Sequence, residues 1–199
     1  MIEDLLGTST VKRRKAAIEI RKKCLFEYKS VLLDALKLEY LKKHNETEME
    51  LIRAIGELGD NKDAKVYIKE NYIDKGFFLR TAVMAYCRLE RENNNDVTVI
   101  LDLIMQNIYS MSEGALEVLG YDKMTPSITE QEQIIDLCKD FGKNREKGLT
   151  DPRYGLAAAC AGWNAKNVKP FLEECMHSND EPLKYVAENS LKGKYVKLR

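Results

Sequence analysis

The feature that most constrains the fold of this chain is a helical segment that recurs along it. Small and apolar residues fill the middle of each copy, as in Leu51–Asp60 and Leu79–Leu89. One equivalent position falls, copy by copy, at Ala17, Leu51, Ala82, Ala115, Ala158 and Ala187. The spacings between these positions are 34, 31, 33, 43 and 29 residues. Periods in this range are typical of solenoids built from pairs of helices, so we expect a stack of helical hairpins.

A second amphipathic segment follows each copy. The apolar residues Val168, Phe171, Leu172 and Cys175 lie at helical spacing, and similar stripes recur elsewhere. These patterns predict second helices near residues 28–43, 61–74, 95–109, 130–141 and 165–177. Strict alternation of apolar and polar residues is scarce, which argues against a large sheet. The sequence therefore predicts an all-α fold.

Two stretches carry a resemblance to a known repeat. Leu51–Ala64 contains the run A-I-G-E-L-G-D-N-K-D-A, and Asp151–Trp163 places Asp-Pro before small residues. They resemble the HEAT repeat, in a subtype similar to that of phycobilisome lyase-like proteins. The resemblance covers nearly the whole chain and implies an armadillo-like, right-handed α-α superhelix whose second helices line a concave face. We predict a single domain, 1–199, of about five repeats and a half repeat, at residues 8–44, 45–75, 76–109, 110–142, 150–178 and 180–193.

Charge is balanced overall but not along the chain. The formal net charge is zero, yet residues 1–45 carry +5, residues 46–100 carry −3, residues 101–150 carry −4 and residues 151–199 carry +2. Zero net charge removes the usual signature of a general nucleic-acid binder. The acidic middle favours a basic partner, drawn by complementary potential, and the alternative is an ordinary solvated helical surface.

Polar residues at four-residue spacing mark one side of several second helices. Such spacing puts residues on one face of a helix. The candidate partner-binding residues are Glu70, then Thr98, Asp102 and Gln106, then Glu132, Asp136 and Asp140, and then Lys169 and Glu173.

Signals of catalysis are scarce in this sequence. It lacks H-E-x-x-H, G-x-S-x-G, P-loop and G-x-G-x-x-G motifs. His44 and His177, the two histidines, are each expected to end a helix. Neither is followed by Glu, as the iron ligands of deoxyhypusine hydroxylase, an enzyme of similar repeats, require. We predict no catalytic residue, no metal ligand and no cofactor, and no residue marks a bilin site.

The cysteines and the apolar runs of the sequence predict the cellular compartment of the protein. The five cysteines are widely spaced and lack a C-x-x-C pair, which predicts free thiols in a reducing cytoplasm. The chain starts without a signal peptide, and it has no apolar run long enough to span a membrane.

These observations favour a non-catalytic protein-binding module that recognises a protein or peptide. One form of it is an immunity protein that neutralises a basic toxin.

One alternative is a DNA-binding protein similar to the alkylpurine glycosylases with HEAT-like repeats, in which Trp163 would line the cleft instead of anchoring the core. The basic run Lys12–Lys15 with Arg21–Lys23 would then contact phosphates instead of forming a solvated capping helix. Another alternative is an architectural subunit of a larger assembly.

Overall fold

A computed structural model of the chain describes residues 1–42, 45–142 and 149–198. All regular elements in these residues are helical and no strand occurs among them, which confirms the all-α prediction. His44 lies outside the described residues. No helix in the described ranges combines the length and the apolar character needed to cross a membrane. The chain divides into two compact units, Met1–Glu90 and Arg91–Arg199.

The first unit contains six α-helices in its described residues. A 3-10 turn, Phe26–Tyr28, precedes the third of them, and a π-helical turn, Lys69–Ile73, continues the fifth. The helices are α1 (Ile2–Leu6), α2 (Thr10–Lys23), α3 (Lys29–Lys42), α4 (Asn45–Leu58), α5 (Lys62–Ile68) and α6 (Leu79–Glu90).

Helices α2, α4 and α6 form one layer, in which α4 packs against both of the others. The packing is close because Gly56 faces Ala85: a Cβ atom built on Gly56 would lie 2.6 Å from the Ala85 Cα. Helices α3 and α5 pack beside this layer, α3 against α4 and α5 against α6. The apolar side of each helix is thereby buried by its neighbours.

A buried ion pair joins the two layers of the first unit. Arg13 on α2 and Glu39 on α3 are both fully buried and hydrogen-bond to each other through Nη1 and Oε1. The Arg13 guanidinium also donates to the backbone carbonyls of Leu5 and Gly7, which fixes the start of the chain. Burial lowers the pKa of Arg13. Arg13 therefore does not belong to an exposed basic run, as the sequence had suggested, because Glu39 and two carbonyls give it partners inside the unit.

The second unit also contains six α-helices in its described residues. A 3-10 turn, Cys160–Gly162, follows the fourth of them. The helices are α7 (Thr98–Met105), α8 (Tyr109–Tyr121), α9 (Ile128–Cys138), α10 (Arg153–Ala159), α11 (Val168–Met176) and α12 (Glu181–Leu191).

Helices α8, α10 and α12 form one layer of the second unit, in which α10 packs against both of the others. A Cβ atom on Gly155 would lie 2.5 Å from the Leu116 carbonyl oxygen, so α8 and α10 meet through their backbones. Asp151 anchors the start of α10, because its carboxylate accepts from Arg153 Nε at 3.0 Å and Nη2 at 2.8 Å. Arg153 Nη1 in turn donates to the Lys139 carbonyl at 3.2 Å, which ties this helix start to the end of α9.

The residues after α12 return over the same layer. Leu198 is buried, and a Cβ atom on Gly120 would lie 2.8 Å from its Cδ1 atom. Tyr195 lies against Gly162, and Lys123 Nζ is 5.0 Å from the Tyr195 ring centroid. The tail thus covers the ends of α8 and α10.

The buried ion pair of the first unit gives a first prediction. Replacing Glu39 by Leu leaves the Arg13 charge buried without its carboxylate and should lower the free energy of unfolding by about 3 kcal/mol. The double variant Arg13→Met/Glu39→Leu should regain most of that loss. Urea denaturation followed by circular dichroism measures both. The control Glu19→Ala removes an exposed pair with Lys23 and should cost about 0.5 kcal/mol or less; a Glu39→Leu cost no larger than the control would contradict the assignment.

The close approach of α8 and α10 gives a second prediction. Gly155→Ala places a methyl group against backbone atoms that cannot move aside, and should cost about 1–3 kcal/mol of unfolding free energy. The control Gly193→Ala adds the same group where the nearest atom is 3.9 Å away, with only the strain of its positive φ of 66°. Fluorescence of Trp163, which is buried in the same unit, reports the unfolding. Equal stability of wild type and Gly155→Ala would show that the two backbones do not meet.

Candidate protein-binding surface

The helices α7, α9 and α11 of the second unit lie side by side, since α9 packs against both of the others. Each helix buries one apolar side, and the buried residues are Ile100, Leu103 and Ile104, then Ile134, Ile135 and Cys138, and then Phe171, Leu172 and Cys175. The opposite sides and the ends of these helices carry eight of the nine candidate residues, of which Glu132 is half-buried and the others are exposed. We call the set Asp102, Gln106, Glu132, Asp136, Asp140, Lys169 and Glu173 the acidic face.

The first of the three helices contributes two free polar groups. Asp102 and Gln106 are exposed, and Asp102 forms no ion pair with any described residue. Thr98 is also exposed, but its hydroxyl donates to Asp96 Oδ1 at 2.7 Å. Backbone N–H bonds from Glu92 and Thr98, together with that hydroxyl, lower the pKa of Asp96. Thr98 therefore serves the start of α7, and we leave it out of the acidic face.

The other two helices carry exposed ion pairs. Asp136 lies 3.4 Å from Lys139 Nζ, Glu132 lies 3.7 Å from Lys166 Nζ, and Glu173 lies 3.8 Å from Lys169 Nζ. Solvated pairs of this kind are weak and are easily exchanged for other partners. Among the described residues of these helices and their flanks, the exposed charges are five acidic and three basic, while Glu132 is half-buried: Asp102, Asp136, Asp140, Glu173 and Glu174, against Lys139, Lys166 and Lys169.

Glu70 stands apart from this set. It lies in the first unit, exposed on the π-helical turn after α5. It is therefore not part of the acidic face.

Exposed apolar side chains accompany the carboxylates, and the sequence reasoning missed them. Met105, Leu137 and Met176 are 56%, 37% and 38% exposed. Met105 and Met176 each lie three positions after an acidic residue of the same helix, so the two side chains share one side of that helix. The pairs are Asp102–Met105 and Glu173–Met176, while Leu137 follows Asp136 directly and Asp140 lies in the turn after α9. This spacing was visible in the sequence, but exposure distinguishes these apolar residues from core residues only once the packing is known.

The alternative that the chain binds nucleic acid depends on two features, Trp163 and the basic residues of α2. Trp163 is buried, and its Nε1 donates to the Met124 carbonyl at 2.7 Å, so the ring is packed inside the second unit.

Two of the seven basic residues of α2, Arg14 and Arg21, are paired with acidic residues of α4. Arg14 bonds to Glu46, and Arg21 lies 3.2 Å from Glu50 and 3.1 Å from Glu57. With Arg13 buried and Lys23 paired with Glu19, the exposed cations of the run without a described partner are Lys12, Lys15 and Lys22.

Most of the cysteine thiols are buried, and the side chains that could bind a metal ion are spread apart in the described residues. Cys87, Cys138, Cys160 and Cys175 are buried, and Cys24 is exposed. Burial raises the pKa of the Cys175 thiol to about 12, so it stays protonated at neutral pH. Within residues 1–42, 45–142 and 149–198, no three His, Cys, Asp or Glu side chains are grouped closely enough to hold a metal ion.

Comparison of the chain with protein-family models, with curated proteins and with solved structures gave no match.

Proposed function

We propose that this protein is a non-catalytic protein-binding module and that its acidic face recognises a basic protein or peptide. The observation that carries the proposal is the excess of exposed carboxylates next to Met105, Leu137 and Met176 on three adjacent helices. Carboxylates attract and orient a cationic partner, while exposed apolar side chains provide contact area that excludes water. Methionine suits this role because its flexible side chain adapts to the surface it meets.

We further propose that the hairpins are HEAT-type repeats, so that each unit is a short stretch of right-handed α-α superhelix. Two features support this: first helices pack on first helices, as in α8–α10–α12, and second helices pack on second helices, as in α7–α9–α11. In such an arrangement each hairpin buries its apolar surface against its neighbour, which leaves the outer side of the second helices available for a partner. The whole chain would then form one repeat domain.

The partner we propose is a basic protein, and an immunity protein that blocks a basic toxin is the most concrete form of this function. A small inhibitor of this type needs no catalytic group, because it acts by covering its target. The five free cysteines are consistent with a place in the reducing cytoplasm.

The test is affinity capture from the source organism with three versions of the full chain. They are the wild type, a face variant with Asp102→Lys, Asp136→Lys and Asp140→Lys, and a control variant with Glu92→Lys, Glu181→Lys and Glu188→Lys. The control makes the same charge change at exposed positions of the same unit outside the acidic face. Captured proteins are identified by mass spectrometry, then purified and titrated by calorimetry.

We expect a basic protein to bind the wild type and the control. The face variant should bind it at least about tenfold more weakly, because charge reversal sets like charges against each other across the interface. Adding salt should weaken wild-type binding by screening. Equal capture by the face variant, or a partner of acidic character, would refute the proposal.

A further inference from the structure

The first unit carries a group of aromatic rings where α3, α5 and the π-helical turn meet. The ring centroids of Tyr40 and Tyr67 are 6.3 Å apart, and the Tyr72 centroid lies 5.7 Å from Tyr40 and 6.3 Å from Tyr67. All three pairs are edge-on. Tyr72 is fully buried and its hydroxyl donates to Glu48 at 3.4 Å, whereas Tyr40 and Tyr67 are partly exposed. The group is therefore anchored at Tyr72, on its buried side, and open to solvent at Tyr40 and Tyr67.

The π-helical turn shapes this group. In the turn the Asp74 N–H donates to the Lys69 carbonyl at 2.9 Å, five residues back, instead of four. Asn71 and Lys75, in and just after the turn, are placed beside Tyr40: Lys75 Nζ donates to the Tyr40 hydroxyl oxygen at 3.2 Å and to Asn71 Oδ1 at 3.0 Å. Turns of this type are rare and occur frequently at functional sites.

Two lysines lie close to the partly exposed rings. Lys75 Nζ is 5.5 Å from the Tyr40 ring centroid, and Lys37 Nζ is 5.8 Å from the Tyr67 ring centroid. Neither lysine pairs with a carboxylate among the described residues. We call Lys37, Tyr40, Tyr67, Asn71 and Lys75 the tyrosine–lysine cluster.

The hydrogen bonds of this cluster leave more donors than acceptors. The Tyr40 oxygen accepts from Lys75, so its own proton is available, and Lys75 uses two of its three N–H groups. No described residue accepts the Tyr67 hydroxyl proton. Burial, followed by the charges of Tyr40 and Glu48, raises the pKa of Tyr67 to about 12, so its phenol remains a donor at neutral pH. Asn71 Oδ1 already accepts from Lys75, so it is not a free acceptor. The Lys37 ammonium, beside the Tyr67 ring, is a further donor.

We propose that the tyrosine–lysine cluster binds a side-chain carboxylate of an acidic peptide segment in a protein partner. A carboxylate accepts several hydrogen bonds and carries the charge that complements the two lysines. The tyrosine rings offer rigid, amphipathic contact area for the adjoining peptide, as aromatic residues do in many interfaces.

Exposed acidic residues on the same helices favour a peptide over nucleic acid. Asp34 lies one turn from Lys37, and Glu70 and Asp74 flank Asn71. They prevent the continuous positive field that a chain of phosphates requires. The cluster and the acidic face share no residue and lie in different units, so this inference does not depend on the proposed function.

The test is fluorescence anisotropy of a fluorescein-labelled octaglutamate peptide titrated with the full chain at low salt. Lys75→Gln removes a cation, and Tyr40→Phe and Tyr67→Phe remove hydroxyls while keeping the rings. The matched control is Lys62→Gln, which removes an exposed lysine of the same unit outside the cluster. Circular dichroism melts of each variant verify the fold. Labelled oligothymidylate of equal length serves as the phosphate probe.

We expect the wild type and Lys62→Gln to bind octaglutamate equally. Lys75→Gln and Tyr40→Phe should each weaken binding by about three- to tenfold, the effect of one hydrogen bond to a charged group at a partly exposed site. The proposal is overturned by absence of octaglutamate binding, by variants that bind like wild type, or by an equal loss in Lys62→Gln. Tighter binding of oligothymidylate that depends on the same residues would overturn it in favour of a phosphate ligand.

Discussion

Both units depend on one constraint, which is that one pair of successive first helices in each, α4–α6 and α8–α10, meets through its backbones. Gly56 leaves room for Ala85 in the first unit, and Gly155 leaves room for the Leu116 carbonyl in the second. At such distances no larger side chain fits between the helices. Long apolar side chains must therefore fill the space between the two layers, and polar side chains are left on the outer side of the second helices. The surfaces available for binding follow from this arrangement.

Buried charges fix how the layers are joined. Arg13 bonds to Glu39 across α2 and α3, and Asp151 holds Arg153 at the start of α10 beside the end of α9. Desolvation makes such groups costly unless their hydrogen bonds are complete, so they tolerate few alternative pairings. In both units a charged group near the start of a first helix is thereby bonded to a second helix or to the residue at its end.

The sequence predicted the helices well, because their apolar period and their caps are local signals. Helix α10 begins directly after Asp151–Pro152, as the pattern indicated. It also placed Asp102 and Asp136 on exposed sides. It could not show that Arg13 is buried, that Leu198 returns onto Gly120, or that a π-helical turn brings Lys75 to Tyr40. Each of these depends on a partner distant in sequence, and Arg13 looks like its exposed neighbours until Glu39 is placed against it.

The central claim is that the second helices expose one side to solvent, while the first helices are buried between neighbouring helices. Oxidation of methionines by hydrogen peroxide, followed by mass spectrometry of the native chain, tests it directly. Met105 on α7 and Met176 on α11 are exposed, whereas Met111 on α8 and Met124 after it are buried. We predict rapid oxidation of the first two and protection of the other two until the protein unfolds. Equal rates at all four, or protection of Met105 and Met176, would contradict the account.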